Sequence, residues 1–260
     1  MAARGKSEAF DGPQNGNRLI DSLPSGPRTA VLAHCEYVEL PAGTVLCVAD
    51  EPFEHVYFPI VGNITLMTKL AGHRPFETQG IGSEGMLGVN LILDVNRSFQ
   101  QGIVQTPCLA LRMETEALRA AIRRHSALRR MLQRYFSVVF EELLQAVGCI
   151  RFHDVGQRLA RGLLLAQDRA PTAALPLTHR ILAETLGVQR GAVTLAALKL
   201  QEDGCIRYSH GRIAIIDRAA LEAAACKCYE TSIGNPKSLC HTCRLPPNIA
   251  HAPSKGPKGE

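Results

Sequence analysis

Apolar residues follow three successive patterns along the 260-residue chain. Between residues 30 and 112 they come in short runs: Tyr37-Val38-Glu39-Leu40, Thr44-Val45-Leu46-Cys47-Val48, Val56-Tyr57-Phe58-Pro59-Ile60 and Ile64-Thr65-Leu66-Met67-Thr68, then stretches at 99–106 and 108–113. Pro41-Ala42-Gly43 and Gly62-Asn63 punctuate them. β-branched runs of this length, spaced by Gly and Pro, predict an all-β roll or barrel. Ahead of it, Asn17 and Asp21 sit near the start of a short helix over 18–23 that Pro24 and Pro27 close off, and residues 1–17, rich in Gly and Asn, read as a flexible arm.

The second pattern is helical. No Gly or Pro occurs from Met113 to Val147, and Leu132, Phe136, Val139, Leu143, Ala146 and Ile150 recur at alternating steps of four and three. That is the seam of a two-stranded coiled coil, which predicts pairing with the same helix of a second copy; packing within its own chain is the alternative. Phe140, Leu144 and Val147 widen the stripe. The helix is expected to end or bend near Gly148, and Asp154 to cap the next, over 155–168.

The third pattern, at 175–217, places Thr178 before a helix over 179–186, Gly187 at a stop, and a second helix to about residue 203. Ala183 is small where two helices would approach, and Val188 and Val193 fill the wedge between them, which predicts a helix-turn-helix, with a generic αα-hairpin as the alternative. Cys205-Ile206-Arg207-Tyr208 and Arg212-Ile213-Ala214-Ile215-Ile216, joined through Ser209-His210-Gly211, predict a β-hairpin wing. Arg207 and Arg212 on the wing, with Thr178 and His179 at the first helix, are candidates for phosphate contacts. Gln189, Arg190 and Thr194 are candidates for reading base edges: Arg can bind guanine bidentately, and Gln adenine.

Charge supports this division. Residues 1–112 hold 8 Lys and Arg against 11 Asp and Glu, whereas residues 113–260 hold 21 against 13, so the basic excess lies where a polyanion would be met. The length suits two modest domains, no stretch is apolar enough for a membrane span, and nine scattered Cys fit a reducing compartment better than a secreted disulfide framework, so a cytoplasmic protein is expected.

Taken together, an acidic β-roll, a long helix and a winged helix resemble the Crp/Fnr superfamily of bacterial transcription regulators over residues 18–225. Gly85-Met86-Leu87-Gly88 and Arg97-Ser98 resemble its phosphate-binding cassette, and Asp154-Val155-Gly156-Gln157-Arg158-Leu159 its hinge and first DNA-binding-domain helix. The resemblance implies an α+β chain with an N-terminal jelly-roll-like β-roll (18–112), a dimerisation helix and hinge (113–153), a C-terminal winged helix-turn-helix (154–225) and a tail (226–260). It implies a homodimer on pseudo-palindromic double-stranded DNA, with RNA polymerase as a further partner.

It also implies departures. In cyclic-AMP-binding members a Glu in the cassette holds the ribose and a Thr-Ser pair on the dimer helix holds the adenine; here Met86, Leu143 and Leu144 take those positions. Each ribose or base polar group left unpaired costs ~1–3 kcal/mol, so cyclic AMP is not expected to bind in the usual way. Arg97 is either a phosphate ligand or a structural residue paired with Asp94 or another neighbouring carboxylate. No Cys precedes Cys35, which disfavours the iron–sulfur branch, and His73 is a weak haem candidate. The acidic and second basic base-contacting positions of the family fall at Gly191 and Leu195. A cupin-like metalloenzyme is a further reading of the roll, but His34, His55 and His73 are isolated from one another in sequence.

The tail carries Cys226-Lys227-Cys228 and Cys240-His241-Thr242-Cys243. Cys226, Cys228, Cys240 and Cys243 could form a thiolate zinc site, which would make a metal- or redox-responsive regulator; a flexible tail with free thiols is the alternative.

Overall fold

The computed structural model describes residues 16–170 and 172–232. Two helices, α1 (Arg18–Asp21) and α2 (Ser25–Leu32), precede the roll. The roll comprises β1 (Cys35–Leu40), β2 (Val45–Cys47), β3 (His55–Thr68), β4 (Phe76–Ile81) and β5 (Gln101–Glu114). All pairings are antiparallel, in the order β1-β5-β3-β4 with β2 also on β5. Each of the two longest strands spans a proline. Pro59 and Pro107 sit where the β3–β5 register slips, and such slips bend a long ribbon so that it can curl. The two stretches expected at 99–106 and 108–113 are therefore one strand.

Asn17 belongs to the folded unit and not to the arm. It is 1% exposed, its side-chain amide donates to Pro59 and Gly85 carbonyls at 2.8 Å, and its side-chain oxygen accepts from Leu19 and Ile20 backbone N–H. These contacts tie α1 to the cassette, a long-range role invisible to local composition.

The Gly- and Pro-free stretch forms two helices, α3 (Thr115–Arg124) and α4 (Ser126–Phe152), broken at His125. The helix does not end at Gly148: α4 continues through it to Phe152. A Cβ there would touch nothing within 4 Å, and one Gly costs a helix only ~1 kcal/mol. Leu128, Leu132, Tyr135, Val138 and Val139 pack with Phe58, Met86 and Leu118 into the core beside the roll.

Asp154 caps α5 (Val155–Arg169) as predicted, in a reciprocal box: its carboxylate accepts from Gln157 N–H at 2.9 Å, and its own N–H donates to the Gln157 side chain. Then follow α6 (His179–Leu186), α7 (Arg190–Glu202), the hairpin β6 (Ile206–Ser209) and β7 (Arg212–Ile215), α8 (Arg218–Ala224) and α9 (Cys228–Thr231). Leu159, Leu163, Leu182, Val193, Leu200 and Ile213 form their common core.

Candidate DNA-reading surface and effector site

Helices α6 and α7 meet at 110°, within the range of a helix-turn-helix. The Thr178 hydroxyl caps α6 by accepting from Ile181 N–H at 3.2 Å. Gly187 ends α6 at φ 64°, a left-handed conformation that costs glycine nothing, and Val188 N–H closes the turn on Ala183 carbonyl at 3.0 Å. Val193 is fully buried in the wedge.

This turn leaves Gln189, Arg190 and Gly191 exposed at the N-terminus of α7. Thr194 and His179 come together instead of facing outward. Thr194 hydroxyl donates to Arg190 carbonyl at 3.0 Å and lies 3.0 Å from His179 Nδ1, and the imidazole stacks on Tyr208 with ring centroids 4.2 Å apart. Burial, with Arg190 beside it, pushes the His179 pKa down and favours the neutral ring. Leu195, where the family's second basic base-contacting position falls, is 71% exposed on the same helix.

The wing turns through His210 and Gly211, both at positive φ, as a two-residue type I′ loop requires. Arg207 and Arg212 are exposed on it, and Arg212 also donates to Ala174 carbonyl at 3.2 Å.

The cassette is bound up in its own fold. Met86 and Leu87 are 1% and 2% exposed. Met86 N–H donates to Tyr135 hydroxyl at 3.2 Å and Leu87 N–H to Tyr57 carbonyl at 2.8 Å, while a Cβ on Gly85 would collide with the Tyr135 hydroxyl. Burial raises the Tyr135 pKa, so the hydroxyl keeps its proton. Gly88 adopts φ 99° at the start of the following turn. Ser98 is 2% exposed, its hydroxyl donating to Gln100 carbonyl and accepting from Gln100 N–H. Arg97 lies in solvent, 3.8 Å from Asp50 and over Phe99; Asp94 is partnered by Arg119.

Two buried connections join the roll to α5. Arg169, 7% exposed, meets the Glu84 carboxylate through Nε and Nη2 at 2.9 and 2.8 Å and donates to Asn63 at 3.4 Å. Burial opposes its charge, but Glu84, Glu142 and Glu77 outweigh that and raise its pKa. The guanidinium stem crosses Gly82, where any Cβ would strike it. A cleft of about 130 Å³ lies between β4, α4, α5 and α6, lined in part by Glu77, Gln105, Leu143, Arg158 and Arg161.

The seam on α4 needs correction. Leu132 and Val139 are 1% and 9% exposed within their own chain, and Phe136 packs against the same core. The outward apolar face starts later, at Phe140, Leu143, Leu144, Val147 and Ile150. Leu143 and Ile150 were in the expected set; Ala146 is half-buried.

The tail also differs from expectation. Residues 226–232 are folded: Tyr229 hydroxyl donates to Asp168 at 2.7 Å and Arg161 donates to Ser232 at 2.9 Å. Cys226 and Cys228 sit beside Cys149 and His153, with all four donor atoms within 4.8 Å of one another. Cys240 and Cys243 lie outside the described residues.

A cyclic nucleotide-binding domain model matches residues 37–125, and a Crp-like helix-turn-helix domain model matches residues 157–224. The chain is a member of the Crp/Fnr family. Solved structures agree in fold. A transcriptional regulator of this family from Thermus thermophilus superposes with TM-score 0.58 at 21% identity, over 73% of this chain and 98% of that one. The c-di-GMP-responsive global regulator CLP of Xanthomonas campestris does so with 0.60 at 17%, over 75% and 100%. FixK2 of Bradyrhizobium japonicum gives 0.60 at 15%, over 74% and 98%. No curated protein matches the sequence significantly. This Crp/Fnr chain is a DNA-binding transcription regulator. Among its described residues no single helix is long and apolar enough to cross a membrane.

Proposed function

We propose that the chain acts in the cytoplasm as a homodimer that reads a pseudo-palindromic duplex site. The observation that carries this is the exposed start of α7, set at 110° to α6 beside a wing bearing Arg207 and Arg212. Gln189 and Arg190 would make the polar base contacts, and exposed Leu195 an apolar contact to a thymine methyl. His179 and Thr194, engaged with each other, would position Arg190 by fixing the first turn of α7. Two such heads would be paired through the outward face of α4. Contact with RNA polymerase rests on the family likeness alone.

The effector is not cyclic AMP bound in the usual way. Supporting this, the Met86 and Leu87 amides and the Ser98 hydroxyl are all committed to protein partners, and Arg97 points to solvent.

The test is selection of bound sequences from randomised duplex DNA. Enrichment of inverted half-sites centred about 34–36 Å apart is expected for a two-fold dimer; enrichment of a single unrepeated motif would overturn the dimeric reading.

A further inference from the structure

We propose that Cys149, His153, Cys226 and Cys228 form a site for one zinc ion that fastens the end of the dimerisation helix to the chain leaving the DNA-binding domain. Cys149 lies in the last turn of α4 and His153 is its C-terminal cap, immediately before the Asp154 hinge. Cys226 comes from the connection between α8 and α9 and Cys228 is the first residue of α9, more than seventy residues later in the chain.

The geometry suits a single small ion. Cys149 Sγ and Cys226 Sγ are 3.7 Å apart, Cys228 Sγ and His153 Nδ1 are also 3.7 Å apart, and the four atoms are mutually within 4.8 Å. Zinc–sulfur bonds of about 2.3 Å in a tetrahedron put neighbouring ligands about 3.8 Å apart, so the donors need shift only slightly to close on zinc. A four-iron cluster would require its thiolates to spread around a much larger body. Three sulfurs and one imidazole are also a donor set of structural zinc sites.

Independent features hold the donors in place. Cys149 and Cys226 are 4% and 3% exposed. The segment carrying Cys226 and Cys228 is anchored just past the site by two helices: Gln145 of α4 bonds Thr231, and Arg161 of α5 donates to Ser232 at 2.9 Å. Three thiolates around a divalent ion leave a net negative charge, and Arg158 and Arg161 on α5 supply facing positive charge. Cys240 and Cys243, the other half of a tail-only site, are not needed to complete the four ligands.

The experiment is metal analysis of the purified full chain, with zinc measured by plasma mass spectrometry after dialysis, and reconstitution of chelated protein with Co²⁺. The expected result is about one zinc per chain and the visible absorption of tetrahedral thiolate-bound Co²⁺. Cys149→Ser and His153→Gln should each lose most of the metal, Cys228→His should retain it, and Cys240→Ser with Cys243→Ser should leave it unchanged. Circular dichroism identifies any variant that fails to fold, and the exposed-edge variant His153→Gln then carries the test. Absence of zinc after supplementation, an iron–sulfur spectrum, a Cys149–Cys226 disulfide in its place, or loss of metal only with Cys240 and Cys243 would each overturn the proposal. Stoichiometry is read without DNA, so its failure is distinct from failure of the DNA-binding reading.

Discussion

Truncating Val147 tests whether the outward face of α4 pairs two copies. Val147 is 68% exposed in the single chain and lies among Phe140, Leu143, Leu144 and Ile150, themselves 36–58% exposed. Val147→Ala removes two methyl groups at ~0.8 kcal/mol each, and with 68% of the residue exposed in the single chain the lost interface burial is about 1 kcal/mol per copy, or about 2 kcal/mol per dimer because an isologous interface counts each residue twice. At 1.4 kcal/mol per tenfold, the dimer Kd should weaken about 30-fold. Val147→Glu, which adds two carboxylates at the contact, should give monomers at micromolar concentration. Sedimentation equilibrium over a dilution series measures this directly. Val139→Ala is the opposing control: Val139 is 9% exposed and packed in its own chain, so this change should lower the melting temperature and leave the Kd alone. A Kd unchanged by Val147→Glu, or one weakened by Val139→Ala and not by Val147→Ala, would refute pairing through this face.

Three further expectations concern the reading head and its attachment. Arg190→Ala should lose ~1–3 kcal/mol on the selected DNA site and little on random duplex in fluorescence anisotropy; equal losses would make Arg190 a phosphate contact. Glu84→Ala strands the buried Arg169 charge and should cost up to ~3–5 kcal/mol in denaturant unfolding, while replacing both Glu84 and Arg169 by apolar residues should cost much less. The folded His179 pKa lies below the ordinary 6.5, so the unfolded chain binds more protons near that pH and the stabilisation is present above 6.5 and lost as pH falls below it. The melting temperature of the native protein should therefore drop relative to His179→Gln between about pH 7 and 5, and parallel profiles would refute the assignment.

Local signals made the reading head legible from sequence. Thr178 before α6, Gly187 after it, Asp154 before α5 and the His210-Gly211 turn each answer to a backbone requirement within a few residues, and each sits in the structure where it was expected. Periodicity along α4 was legible too, but not its partner. A stripe of steps of three and four says that one face is apolar without saying what covers it, and Leu132 and Val139 turn toward the roll. Nothing local marks the bonds from Asn17 to Pro59 and Gly85, or joins Arg169 to Glu84 across 85 residues. Cys226 and Cys228 were visible as candidate ligands, but their partners in space are Cys149 and His153, which come from a helix read only for its apolar stripe.

Glu84 immediately precedes Gly85, the first residue of the cassette, and Arg169 is the last residue of α5, the helix that begins at the hinge. One buried ion pair at the rim of the cassette loop thus joins the roll to the reading head, alongside the Arg169–Asn63 and Gln105–Thr185 hydrogen bonds. A molecule that displaces that loop must either drag α5 with it or leave a guanidinium stranded in the protein interior. Glu84 carries the closest part of that connection, with Glu77, Glu142 and Asn63 also facing the Arg169 guanidinium. Between Glu84 and the DNA-binding half there is a single side-chain contact, with no core residue of the roll in between.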